Sequence, residues 1–427
     1  MSLQGDQTRE WYERARKVLV NGVSSQFRYW GDDDTIVIDH GEGGHLIDMD
    51  GKRYIDYQCG FGPVILGHGD PDVWGAVVET AGQATSFAMT QRREVEAAEK
   101  VIATLGWPDS MRFTNTGTEA TMHSIRLARG VTGRDVVIKF EGQYHGMHDY
   151  LLFSTAGVPV GGLGSRLRPI PLQSSSGIPD TIRTVVRTLP FNDLDLVERA
   201  FKDEGGSIAA VIVEPMLGNA FGIMPLPGFL EGLRRLCDDN GSLLIFDEVK
   251  TGFRIALGGA REAFGVTPDI GTYAKALGNG FPVAEGWRRA GIAQAGTYSG
   301  NGIAVAAASA TIDKLSTGEP HARIEKVGRS LMEGIEHVLA DRGVEGKVIG
   351  HPAMFSIFIG DGDLNDFRDT SKHNDTLYDE TLFGMIRRGV MPCPDGLEPW
   401  FVCAAHTDED VATTLQVFDE SLAESLG

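Results

Sequence analysis

Leu243-Leu244-Ile245-Phe246-Asp247-Glu248 sets four apolar residues directly before two acids. A short apolar run bounded by turn signals predicts a strand buried on both faces of a parallel sheet. That strand is expected to end at Phe246, which leaves Asp247 at its carboxyl edge, where open α/β sheets bind their ligands. A carboxylate in that position is costly unless a cation or a hydrogen-bond donor meets it.

Downstream, Thr272-Tyr273-Ala274-Lys275-Ala276-Leu277-Gly278-Asn279-Gly280 puts a lysine in a Gly-bounded turn after Pro268-Asp269-Ile270. An acid able to hold a pyridinium nitrogen and a lysine able to form a Schiff base are the two anchors of a pyridoxal phosphate site. Singly, each has an ordinary reading, since strand-end acids often cap something and most lysines are solvated. Upstream, residues 209–213 are another buried strand closed by an acid, Glu214, and a helix at about 228–240 precedes the central strand. Residues 135–140 form a further strand, followed by Glu141-Gly142-Gln143-Tyr144-His145-Gly146. Strands alternating with helices over 110–275 indicate a doubly wound α/β domain. Its strand ends bring Tyr144, Glu214, Asp247 and Lys275 to one edge.

Phe113-Thr114-Asn115-Thr116-Gly117-Thr118-Glu119-Ala120 carries the second strong signal. Thr116 and Glu119 have the spacing of a capping box, so a helix starts here. The free N–H groups of its first turn and the Thr118 hydroxyl suit a phosphate.

The flanking segments are more varied. Residues 8–20 read as an amphipathic helix, 35–38, 45–48 and 54–56 as an antiparallel meander, and 71–84 and 92–105 as helices. Arg28 stands in a Gly/Ser segment beside Phe27, Tyr29 and Trp30; it is either a surface arginine or a planar clamp for a carboxylate. The Gly-rich 58–63 suits backbone lining a cavity, and the aperiodic 154–180 is a candidate lid. Helices follow at 303–315, about 320–341, about 374–388 and from Asp408, with a strand at 354–359.

The chain has 427 residues, 42% hydrophobic and 23% charged, ordinary for a globular protein with two or three parts. A net charge of −20 argues against nucleic acid or an anionic membrane as partner. No signal peptide or run long enough to span a bilayer is visible. Cys59, Cys237, Cys393 and Cys403 lack paired spacing, as expected of reduced thiols in the cytoplasm. His145 and His148 read as loop histidines; no metal site is expected.

Thr116-Gly117-Thr118-Glu119-Ala120-Thr121-Met122, Phe140-Glu141-Gly142-Gln143-Tyr144-His145-Gly146 and Phe246-Asp247-Glu248-Val249-Lys250-Thr251-Gly252-Phe253-Arg254 together resemble class III aminotransferases. Within that class the chain is most similar to the glutamate-1-semialdehyde aminomutase group. The resemblance implies a fold type I architecture: a large domain (61–310) with a mainly parallel seven-stranded sheet, and a small α+β domain from both termini (1–60 and 311–427). It implies pyridoxal phosphate as cofactor, with a pyridoxamine phosphate form in the cycle, and a homodimer with shared sites. By the same resemblance, Lys275 forms the Schiff base and shuttles the proton, and Asp247 pairs with the ring nitrogen. Tyr144 and Val249 contact the ring, Gly117 and Thr118 bind the phosphate, and Thr297 reaches the neighbouring subunit's phosphate. Arg28 holds the substrate carboxylate, while Phe61 and Glu398 line the substrate pocket.

Five departures bear on the substrate. Phe61 stands where the aminomutases usually have tryptophan, Lys250 where they have methionine, Asn279 within a usually all-glycine turn, and Gly302 after Asn301 where a proline is usual; residues 282–296 are shorter than usual. The expected function is transfer of an amino group between a carboxylate-bearing amino acid and an oxo acid. The alternatives are the aminomutase reaction, which gives 5-aminolevulinate, and a non-catalytic relative that binds the cofactor.

Overall fold

The computed structural model describes residues 2–83, 85–286, 292–393 and 395–427. Leu243–Glu248 lies at the middle of a seven-stranded sheet. Across the sheet the strands run Arg112–Thr114, Ala284–Gly286, Ile270–Tyr273, Leu243–Glu248, Ile208–Val213, Val136–Phe140, Val186–Leu189. Ala284–Gly286 is antiparallel to both neighbours, and the other described pairings are parallel. Side chains alternate across a strand, and here both faces are covered. Leu244 and Phe246 pack with Phe229 and Leu233 of the helix Phe229–Asn240. Ile245 packs on the other side with Ile125 and Ala128 of the helix Gly117–Thr132.

The central strand runs two residues past the expected end at Phe246. Asp247 pairs in register with Thr272, and Glu248 with Tyr273. Both acids are tolerated inside the sheet because donors from other segments reach them: Thr272 for Asp247, and Ala260, Thr251 and Tyr273 for Glu248.

The two ends of the chain share a second sheet. Ile38–Glu42, His45–Asp48 and Arg53–Asp56 form the meander, and Val390–Met391 adds in parallel to the third strand. The first strand starts at Ile38 rather than at 35. Gly346–His351, Met354–Ile359 and Trp400–Phe401 form a three-stranded antiparallel sheet near the long helices Glu319–Asp341 and Asp408–Leu426. The N-terminal helix is Asp6–Arg16, shorter than the 8–20 pattern, and one-turn 3₁₀ segments follow at Val20–Gly22 and Gln26–Arg28.

The 154–180 segment is tied down rather than lid-like. Ser154 N–H donates to Leu172 O at 2.7 Å, Ser174 N–H donates to Leu152 O at 3.0 Å, and Leu163 is fully buried. Among the described residues no helix is long and apolar enough to cross a membrane.

Candidate active site

Asp247 is buried at the sheet's carboxyl edge, and three donors fix it. Its Oδ1 accepts from Val249 N–H and Thr272 Oγ1, each at 3.1 Å, and its Oδ2 lies 2.7 Å from His145 Nδ1. Burial holds His145 below the ordinary histidine range, against the pull of Asp247. The neutral ring therefore carries its proton on Nδ1 and donates it to the carboxylate, leaving Nε2 buried without a partner. His145 is thus part of the site, not the ordinary loop histidine its sequence suggests. A carboxylate offers about four acceptor positions, so one remains for a ligand.

Lys275 opens the one-turn segment Lys275–Gly278 with φ +46°, a left-handed backbone rarely adopted by a side-chain-bearing residue. Such strain persists where the surroundings over-determine it, and it clusters at functional sites. Its Nζ donates to Phe61 O at 2.7 Å. Phe61 itself has φ +66° within the Gly-rich turn, which turns its carbonyl to the lysine. Burial lowers the Lys275 ammonium to about 7, and the neighbouring Lys250 cation acts in the same direction. An amine so poised is available as a nucleophile near neutrality.

Both halves of the Thr116–Glu119 capping box form. Thr116 Oγ1 accepts the Glu119 N–H at 3.1 Å, so the N–H groups of Gly117 and Thr118, which no intrahelical carbonyl can accept, remain for an anion. Thr118, Tyr144, His145, Asp247, Val249 and Lys275 line one inner chamber of about 250 Å³. The chamber is tight beside the helix start at Gly117. A Cβ on Gly117 would come within 2.9 Å of Val249 Cγ2, and one on Gly146 within 2.6 Å of Thr118 Oγ1. Glu214, raised by burial to about 7, accepts from Tyr144 N–H at 2.7 Å and Gly218 N–H at 3.0 Å. It braces the turn that carries Tyr144.

An outer chamber of about 390 Å³ joins the inner one through Tyr144, Asn219, Lys250 and Lys275. Phe27, Tyr29, Trp30, Phe61 and Phe383 supply apolar walls, and Glu398 a carboxylate. Arg28 is not among the lining residues. Its neighbours Phe27 and Tyr29 line the outer chamber, although both are themselves exposed, and the Arg28 side chain is exposed outside it in the single chain. Thr297 is also exposed and lines neither chamber. The shortened 282–296 stretch falls partly on residues 287–291, outside the described residues. Sequence reading missed Asn219, Thr272 and the Lys250–Glu398 ion pair, 2.6 Å, at the junction of the chambers.

A family model described as aminotransferase class-III matches residues 29–411. The chain belongs to the class III aminotransferases. It is a pyridoxal-phosphate-dependent enzyme of that family, with the fold type I architecture. It is 38% identical to a glutamate-1-semialdehyde 2,1-aminomutase of Desulfatibacillum aliphaticivorans, over 98% of this chain and 99% of that protein. It is 39% identical to the enzyme of the same name from Desulfitobacterium hafniense, over 97% and 98%. Among solved structures, an omega-transaminase from Sphaerobacter thermophilus superposes with a TM-score of 0.93 at 29% identity, covering 99% of this chain and 98% of that one. A glutamate-1-semialdehyde-aminomutase from Pseudomonas aeruginosa PAO1 shares the fold, with a TM-score of 0.89 at 23% identity, covering 98% and 94%.

The inner chamber fits the family's cofactor. A buried carboxylate with one acceptor position open suits a ring nitrogen, free helix N–H groups suit a phosphate, and a lysine whose ammonium is lowered to about 7 suits an aldehyde.

Proposed function

We propose that this class III aminotransferase moves an amino group between a carboxylate-bearing amino acid and an oxo acid, in preference to converting glutamate-1-semialdehyde internally. The observation that carries the reading is the meeting of Asp247, Lys275 and the Gly117 helix start around one chamber that opens into a larger apolar one. Bound there, pyridoxal phosphate supplies an electron sink for the pair left when the substrate Cα–H bond breaks.

In this reading Lys275 Nζ would first hold the cofactor, then take the proton from the substrate Cα and deliver it to the cofactor's former aldehyde carbon, and would move it the opposite way in the second half of the cycle. Asp247, fixed by its three donors, would accept the hydrogen bond from the ring nitrogen, and His145 fixes the orientation of the carboxylate. Tyr144 and Val249 flank the ring, and Gly117 and Thr118 hold the phosphate. Phe61 and the apolar rings around it exclude water and give the outer chamber a shape different from that of the usual aminomutase. Arg28 would reach the substrate only by swinging in over that chamber.

The chain would act as a homodimer in the cytoplasm, with Thr297 of each chain reaching the other's phosphate site. Its four cysteines are unpaired and buried, as suits a reducing compartment. Large and small domains would divide near 60 and near 316 rather than at 310, because residue 310 lies inside the helix Gly302–Leu315.

The test is a panel of amino donors and oxo acceptors, glutamate-1-semialdehyde included, followed through cofactor absorbance. Transfer to an oxo acid faster than formation of 5-aminolevulinate is expected. The reverse order would make the aminomutase reading the correct one.

A further inference from the structure

Of the lining side chains of the two chambers, Lys250 and Lys275 are the described lysines, and no arginine joins them. Lys275 is committed to the cofactor in the reading above. Lys250 faces both chambers, with its side chain 7% exposed. Two of its three N–H groups are engaged, one by Gly218 O at 2.7 Å and one by Glu398 Oε1 at 2.6 Å. Its stem passes so close to Gly218 that a Cβ there would lie 2.5 Å from Lys250 Cδ. The ammonium is therefore held at a fixed place on the chamber wall.

What it holds is informative. Glu398 Oε2 accepts from Asn219 Nδ2 at 2.7 Å, so one carboxylate bridges Lys250 and Asn219. This is a built carboxylate cradle, and its resident is tethered to the chain. The two arms of the cradle stand just past the carboxyl ends of neighbouring strands, Asn219 after Ile208–Val213 and Lys250 after Leu243–Glu248. Glu398 comes from elsewhere, between Val390–Met391 and Trp400–Phe401 in the C-terminal part. Asn219 Oδ1 is buried with no partner, an acceptor left open beside the same cradle.

We propose that Lys250 and Asn219 receive the carboxylate of the substrate, and that Glu398 is the counter-ion which the substrate displaces. Removing one partner from a buried ion pair is strongly unfavourable, because the other charge is left alone in a poor solvent. An amino acid or oxo acid avoids that penalty at Lys250 by bringing a carboxylate of its own. A simple amine brings none, so the pair stays closed and the amine is disfavoured. The selectivity assigned from resemblance to exposed Arg28 thus falls to a residue at which this chain departs from the aminomutase pattern.

The proposal rests on the aminotransferase reading, yet its test needs no turnover. Propionate, a carboxylate without an amino group, is titrated calorimetrically into the cofactor-loaded protein and its variants. Glu398→Gln, which frees Lys250 while keeping the bond to Asn219, is expected to tighten propionate by about tenfold, the scale of one charge-assisted hydrogen bond. Lys250→Met is expected to weaken it by about tenfold or more. Removing the Glu398 charge favours any anion in the chamber, so the gain in Glu398→Gln carries the proposal when it is lost in the double variant Lys250→Met/Glu398→Gln, which leaves no charge of the pair buried alone, and a gain that persists in the double variant would overturn it. Unchanged or weaker propionate binding in Glu398→Gln would overturn it, as would loss of binding in Arg28→Ala with Lys250→Met unaffected. Failure of the wild-type holoenzyme to transaminate any donor while these affinities shift as expected would count against the aminotransferase reading alone.

Discussion

Replacing Asp247 by asparagine keeps the side chain's size and removes its charge. In the native site three donors converge on the carboxylate: Val249 N–H and Thr272 Oγ1 on one oxygen and His145 Nδ1 on the other. The amide oxygen can keep the first two, which puts its NH₂ against His145 and the ring nitrogen of the cofactor. His145 must then accept at Nδ1 and move its proton to Nε2, a buried atom with no partner in the structure. An unsatisfied buried donor costs about 1–3 kcal/mol, and the charge-assisted bond lost at the ring nitrogen about 1.5–3 kcal/mol. Together these come to roughly 2.5–6 kcal/mol, or about two to four powers of ten in rate if both fall on the transition state. The assay is the single-turnover half-reaction with an amino donor, after cofactor content has been measured separately so that lost binding is not read as lost chemistry. A fall of less than about tenfold, roughly 1.4 kcal/mol, at full cofactor content would refute the role given to Asp247.

Lys275 titrates near 7 instead of near 10.5, chiefly through burial and next through Lys250. Only the neutral amine can capture the cofactor aldehyde, so capture by the apoprotein should accelerate as pH rises through about 7 and then level off. In Lys250→Met the midpoint should move up, and stopped-flow absorbance reads both. The same shift penalises the apo fold most below about pH 7, and the penalty is relieved as pH rises towards the ordinary lysine value. Gly117→Ala should lower cofactor affinity, because the new Cβ meets Val249 Cγ2 at 2.9 Å; equilibrium dialysis checks this. Thr297→Ala should weaken cofactor binding by about fivefold to tenfold, the worth of one hydrogen bond, in a chain that light scattering finds to be a dimer. A monomer with full cofactor occupancy would contradict the shared site.

Asp247 and Lys275 were legible in the sequence because local pattern marks each of them: an apolar run ending in an acid, and a lysine between a strand and glycines. The helix start at Gly117 was legible for the same reason, its capping box being written into four consecutive residues. The contacts that complete the site are not local. His145 looks like any loop histidine until the fold brings it to Asp247, 102 positions away, and Lys250 meets Glu398 across 148. The end of the central strand was set too early because the donors that make two acids tolerable in it, from Thr272, Tyr273 and Ala260, come from later segments. Arg28 was less legible: Phe27 and Tyr29 on either side of it line the outer chamber while its own side chain stays outside, a difference that the sequence of a one-turn segment does not show.

The central claim is that Lys275, its ammonium lowered by burial in a strained turn of the chamber that Asp247 also lines, is the residue that carries the cofactor. Borohydride reduction of the holoenzyme, followed by peptide mapping, tests it most directly. The pyridoxyl label is expected on the peptide containing Lys275, and Lys275→Ala should bind cofactor without becoming labelled or turning over. Label on Lys250 instead, or full turnover in Lys275→Ala, would contradict the account.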